Sequence, residues 1–84
     1  MEKPTLTPAQ CHAARCLLDW SRDVLAERAG VSKRTLTSFE AGHTALIPNN
    51  LRAIAKAFED EGIVFVPGGV KFAKGADDER NYRR

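Results

Sequence analysis

Long apolar runs are missing from this 84-residue sequence: the longest, Ile63 to Val66, falls far short of the roughly 18 to 20 residues that a membrane-spanning helix needs. The opening Met1-Glu2-Lys3-Pro4 has no apolar stretch of the kind a secretory leader carries, so the expectation is a cytoplasmic protein. Aromatics are few, at 7%. A chain of this length buries only roughly 60 to 65% of its unfolded surface, a thin margin that association would widen. An excess of one charge is missing too. Thirteen Lys and Arg stand against 11 Asp and Glu, a formal net charge of +2, which permits a polyanionic partner without requiring one.

Cysteine is scarce, with only Cys11 and Cys16. Five apart on a helix, they diverge in direction, and cytosolic thiols stay reduced, so no structural disulfide is expected. A metal site would need more ligands than the adjacent His12 and the distant His43 supply, and neither a metal nor any other cofactor is expected. No Ser/His/Asp, Cys/His or paired-carboxylate constellation sits in a chain large enough to enclose a pocket. The sequence is therefore not read as an enzyme.

What the sequence does contain is helix punctuation. Thr7, Pro8 and Gln10 form a capping-box pattern that starts a first helix at Pro8. Its apolar stripe is Cys11, Ala14, Leu17 and Leu18, with His12 and Arg15 on the flanks, and it ends near Asp19 with Trp20 plugging the turn. Ser21 caps a second helix, Arg22 to Ala29, with Asp23 at the positive end of its dipole. Gly30 is the expected left-handed C-cap and Val31 plugs the turn. Ser32 then caps a third helix from Lys33 to about Glu40. Leu36 and Phe39 face inward there, which leaves Lys33, Arg34, Thr37 and Ser38 outside.

Ala41 to Thr44 reads as a loop, and Ile47-Pro48-Asn49-Asn50 as the approach and cap of a fourth helix through about Asp60, with a core stripe of Leu51, Ile54, Ala55 and Phe58. Gly62 stops it. Ile63-Val64-Phe65-Val66, then Pro67-Gly68-Gly69 and Val70-Lys71-Phe72, suit a short hairpin or an extended arm. Ala76 to Arg84 is almost devoid of apolar residues and reads as a disordered tail, with arginines able to add affinity for phosphate. The expected organisation is a lead over 1–5, a helical domain over 6–62, a β-arm over 63–74 and a charged tail over 75–84. The fold class is all-α, four to five short helices, with a short C-terminal β-arm or hairpin.

Two helices joined by a short glycine-containing turn make a helix-turn-helix. Residues 20–42, with small Ala26, turn Gly30 and apolar Leu25, Val31, Leu36 and Phe39 at the characteristic offsets, resemble the Cro/repressor-type (Xre-like, lambda-repressor-like) helix-turn-helix proteins of bacteria and phages, and the similarity extends over roughly residues 6–60. The resemblance implies that the third helix enters the DNA major groove. Lys33 and Arg34 can donate to guanine O6 and N7, and Thr37, Ser38 and the capping Ser32 can reach bases or a thymine methyl. A merely solvated helix face is the competing reading of the same residues.

Backbone contacts should flank that helix. The resemblance puts a phosphate contact at Arg22, where the family usually has Gln. His43, Thr44, Asn49 and Asn50 are further candidates, simple capping being the alternative for the two asparagines. The resemblance also pairs Arg15 with Glu40 as a structural ion pair setting the angle of the recognition helix. Specificity implies a homodimer on a palindromic operator. The strand Ile63, Val64, Phe65 and Val66 is the candidate dimerisation element, with an intramolecular hairpin as alternative or companion.

The function expected is a sequence-specific transcriptional regulator, a repressor or controller that regulates its own gene. RNA polymerase is a further candidate partner through Asp23 and Glu27, although these also suit a solvated face. The competing class is a protein-interaction module, an antiactivator or antitoxin, that keeps the fold but binds another regulator.

Overall fold

The computed structural model describes residues 6–73. Four helices, α1 (Pro8–Leu18), α2 (Arg22–Ala29), α3 (Lys33–Glu40) and α4 (Pro48–Glu59), precede an antiparallel hairpin of β1 (Ile63–Val66) and β2 (Gly69–Phe72). The lead 1–5 and the tail 75–84 lie outside the described residues. Among those residues no helix is long and apolar enough to cross a membrane.

Caps set the helix limits. Thr7 Oγ1 accepts from the Gln10 amide and Gln10 Oε1 from the Thr7 amide, each at 3.0 Å, completing the capping box of α1. Ser21 and Ser32 accept from the amides of Val24 and Thr35. Helix α1 ends on Asp19 at φ 61, a left-handed position that Asp tolerates better than most residues. Gly30 at φ 72 ends α2, where the Val31 amide reaches back to the Ala26 carbonyl. Helix α4 departs from expectation at its start: Ile47 is its N-cap, without a side-chain bond, and Pro48 opens the helix. Asn49 and Asn50 therefore lie inside the first turn rather than capping it.

Phe58, fully buried, is the hub of the core. Trp20 stacks on it at 5.8 Å and Phe65 meets it edge-on at 6.0 Å, the offset and T-shaped arrangements that ring quadrupoles favour. Leu25, Leu36, Ile54 and Cys11 are likewise fully buried around it. Three positions differ from the apolar-pattern reading. Leu17, expected in the stripe, is 37% exposed, because it lies about 100° around the helix from Leu18, off the inward arc. Arg15, expected on a flank, is buried at 8% exposure. On α4 the buried alanine is Ala57, and Ala55 is only half-buried.

The alternative between hairpin and extended arm resolves to a hairpin folded back on its own protomer, β2 packing on α1 and β1 on α4. Register pairs Ile63 with Phe72 and Phe65 with Val70. These four side chains share the inner face and join the core. Val64 and Lys71 alternate to the outer face and are exposed. The turn is held from a distance: Gln10 Nε2 donates to the carbonyls of Val66 at 2.8 Å and Gly69 at 3.1 Å.

Candidate nucleic-acid interface

The site is built outward from the α2–α3 packing. Leu25 and Ala26 of α2, with Leu36 and Phe39 of α3, are buried, and Gly30, Val31 and Ser32 turn the chain between the helices. Fixing Leu36 and Phe39 inward puts Lys33, Arg34, Thr37 and Ser38 on the opposite side of α3. There they line, with Ala41 and His43, an open groove of about 580 Å³. Thr44 joins its rim by donating to Ser38 Oγ at 3.1 Å. The groove thus gathers most of the residues proposed for base contact with two of those proposed for phosphate.

The polar groups in and around the groove are not equally free. Ser32 is committed to the helix end, its hydroxyl accepting from the Thr35 amide at 3.1 Å and donating to Thr35 Oγ1 at 2.8 Å. Lys33 Nζ lies 3.1 Å from Asp23 Oδ1. Arg34 is exposed and makes no ion pair among the described residues. Asn49, away from the groove lining, has its oxygen occupied by Arg52 Nη2 at 2.6 Å, which leaves its amide hydrogens available.

Behind this surface stands a buried ion cluster. Arg15 grips Glu40 with both arms of its fork, Nε to Oε2 at 2.8 Å and Nη2 to Oε1 at 2.7 Å, and gives Nη1 to the Trp20 carbonyl. The pairing of Arg15 with Glu40 that the family resemblance implies is present. Sequence reasoning missed three further members, of which His12 sets its Nδ1 3.0 Å from Arg15 Nη2 and 3.9 Å from Glu40 Oε1. The Cys11 thiol donates to Glu40 Oε2 at 3.0 Å, and Arg22 Nε donates to Oε1 at 3.3 Å. Cys11 stands one helical turn from Arg15, so the spacing already put its thiol beside the arginine's partner. The Arg22 link joins the start of α2 to the end of α3 and has no local signal.

Titration follows from these contacts. Burial pushes the Glu40 carboxyl upward, but the hydrogen bonds from Arg15 and Cys11 and the charges of Arg15 and Arg22 outweigh it and hold the carboxyl below its ordinary value. Burial first, and then the bond to and charge of Glu40, push the Cys11 thiol well up, so it remains a protonated donor. Glu40's hydrogen bond raises Arg15 further. The other cysteine, Cys16, is exposed, and both are free thiols.

A helix-turn-helix family model matches residues 12–60, more than half of the sequence. The chain belongs to the Xre, lambda-repressor-like helix-turn-helix family. As a helix-turn-helix domain it is of the class of DNA-binding transcription regulators, a family of regulatory domains rather than of enzymes. No curated protein matches the sequence. In helix-turn-helix domains the second helix of the motif, here α3, is the element laid in the major groove.

Proposed function

We propose that this protein is a sequence-specific transcriptional regulator of the cytoplasm that reads a palindromic operator as a homodimer, with α3 in the major groove. The observation that carries the reading is the two-sidedness of α3. Leu36 and Phe39 are buried at 0% and 4% exposure, while Lys33, Arg34, Thr37 and Ser38 line an open groove on the other side. A convergent set of donors and short side chains on a rigid helix suits base edges. Arg34 carries most of the discrimination, because its guanidinium makes no ion pair among the described residues. Lys33, Thr37 and Ser38 assist it, and Arg22, His43, Thr44, Asn49 and Asn50 contact the backbone.

The hairpin supports the dimer differently from a free arm. Ile63 and Phe65 serve the protomer's own core, so Val64 and Val66 supply the outward side chains, and among the described residues β1 keeps one edge with no neighbouring strand. Pairing of two such edges across a two-fold axis would hide both. Autoregulation is the simplest arrangement for such a regulator.

Fluorescence anisotropy on the duplex flanking its own gene, and on duplexes selected from a random library, tests the proposal. Selective binding that weakens with salt and saturates at two protomers per site is expected, with Arg34→Ala lowering affinity about 10- to 100-fold. If no sequence is enriched and Arg34→Ala changes nothing, the domain acts on another regulator instead.

A further inference from the structure

We infer that Glu40 is a positioning residue for DNA binding: its buried carboxylate holds Arg22 by the guanidinium Nε and leaves the two Nη groups to clamp a backbone phosphate. The inference rests on the DNA-binding reading above and on Arg22 touching the backbone, and it adds what sets that contact.

Occupancy of the carboxylate is the first support. A carboxylate offers about four acceptor positions. Arg15 takes two of those of Glu40, Cys11 takes one and Arg22 Nε takes one. With its side chain only 3% exposed and gripped from two elements, Glu40 has nowhere to swing. Arg22 reaches Oε1 from a side chain that is itself 42% exposed. Its Nη groups make no hydrogen bond among the described residues. A long side chain fixed at Nε loses less freedom when it binds than one that searches from solvent.

Charge balance is the second support. Glu40 is already matched by Arg15, so Arg22 makes the cluster two cations against one anion and retains a net positive charge. Arg22 is aimed without being neutralised. Lys33, matched one-to-one with Asp23, is the contrary case on the same face. Arg22 is also the first residue of α2, beside the helix amides that attract phosphate.

The test uses the full chain and a duplex enriched by the wild type, titrated across salt. Arg22→Lys keeps the charge but cannot be held through Nε. About 5-fold weaker binding at every salt concentration, with an unchanged salt slope, is expected. Arg22→Gln should weaken binding further and flatten the slope by about one. Glu40→Gln should reproduce the Arg22→Lys loss without changing the slope, and should add nothing in an Arg22→Lys background. A mere folding role for Glu40 would instead lower the folded fraction equally in both backgrounds.

Should Glu40→Gln fail to fold, the NMR resonance of the Arg22 Nε–H in the free wild type decides, with exchange slower than that of Arg34 expected. Arg22→Lys binding as tightly as wild type, or an Arg22 Nε–H that exchanges as fast as that of Arg34, would overturn the inference. A wild type that enriches no duplex removes the DNA-binding reading itself, and the inference with it, whatever the resonance shows.

Discussion

Two acid–base contacts join α2 to α3, and they are chemically alike but physically opposite. Asp23 and Lys33 meet at 3.1 Å with side chains 70% and 58% exposed. Glu40 receives Arg22 at 3.3 Å, but its side chain is 3% exposed and Arg15 grips it from behind. Water screens the first pair and competes for both partners, so it contributes little to the fold; on the proposed reading its main effect is on how much of Lys33's charge is offered to DNA. The second contact is part of a desolvated cluster built on Arg15 and Glu40, where removing either of those two leaves the other's charge unmatched in the interior. A pairing distance by itself is therefore a poor guide to consequence; burial decides whether an ion pair belongs to the scaffold or to the surface.

The sharpest break of this comparison is the pair of variants Glu40→Ala and Asp23→Ala. The first strands the buried Arg15 and should cost about 3 to 5 kcal/mol of stability. The second should stay within about 0.5 kcal/mol. Urea unfolding of the two proteins measures both, and equal losses would remove the distinction. Next in size is Arg34→Ala, expected to cost about 1 to 3 kcal/mol of operator binding with unfolding unchanged, since Arg34 belongs to neither pair; anisotropy beside a melting curve separates the two effects.

Acidification should expose the buried cluster selectively. The folded carboxyl of Glu40 lies below its ordinary value of 4.5, so its contribution is complete above that value and is lost as pH falls through the lower, folded one. The Cys11 thiol, raised above its ordinary 9.0, acts in the opposite sense. Its contribution is complete below about pH 9 and is lost as pH rises toward the folded value. Melting temperature against pH should therefore fall at both ends, and Cys11→Ser should alter the alkaline limb. The smallest effect belongs to Asp23→Asn. Freeing Lys33 should strengthen DNA binding a few-fold at low salt and hardly at all near physiological ionic strength, where exposed charges are screened. An effect that persists in high salt would mean that Asp23 does more than shield Lys33.

Much of this architecture was legible in the residues themselves. Ser21, Ser32, Gly30 and the Thr7–Gln10 capping box bracket three helices because cap chemistry is local. The outward set of α3 was legible once Leu36 and Phe39 were assigned inward. Contacts made across the chain were not. Apolar periodicity leaves Arg15 on a flank, and only the family resemblance supplied its partner. Cys11 read as a small core residue, which it is, but its thiol's bond to a carboxylate was not legible; Asp23 read as solvated, which its exposure bears out, but its contact with Lys33 was not. The β tetrad left hairpin and arm equally open, since inner and outer residues of a short strand are distinguished only by what lies beneath them. Leu17 shows the same limit on a helix, because apolar character does not say where the buried arc ends.

Gln10 has a consequence for how the molecule assembles. One end of its amide finishes the start of α1, and the other grips a turn 56 and 59 residues further along. Closing so long a loop costs entropy that the packing of β2 on α1 helps to offset. The cap and the hairpin turn consequently report on each other: opening of the hairpin releases the glutamine and frays the first turn of α1, so amide hydrogen exchange at Gln10 and at Gly69 should rise together. A residue that looks like local punctuation thereby makes the earliest and latest elements of the described chain open as one cooperative unit.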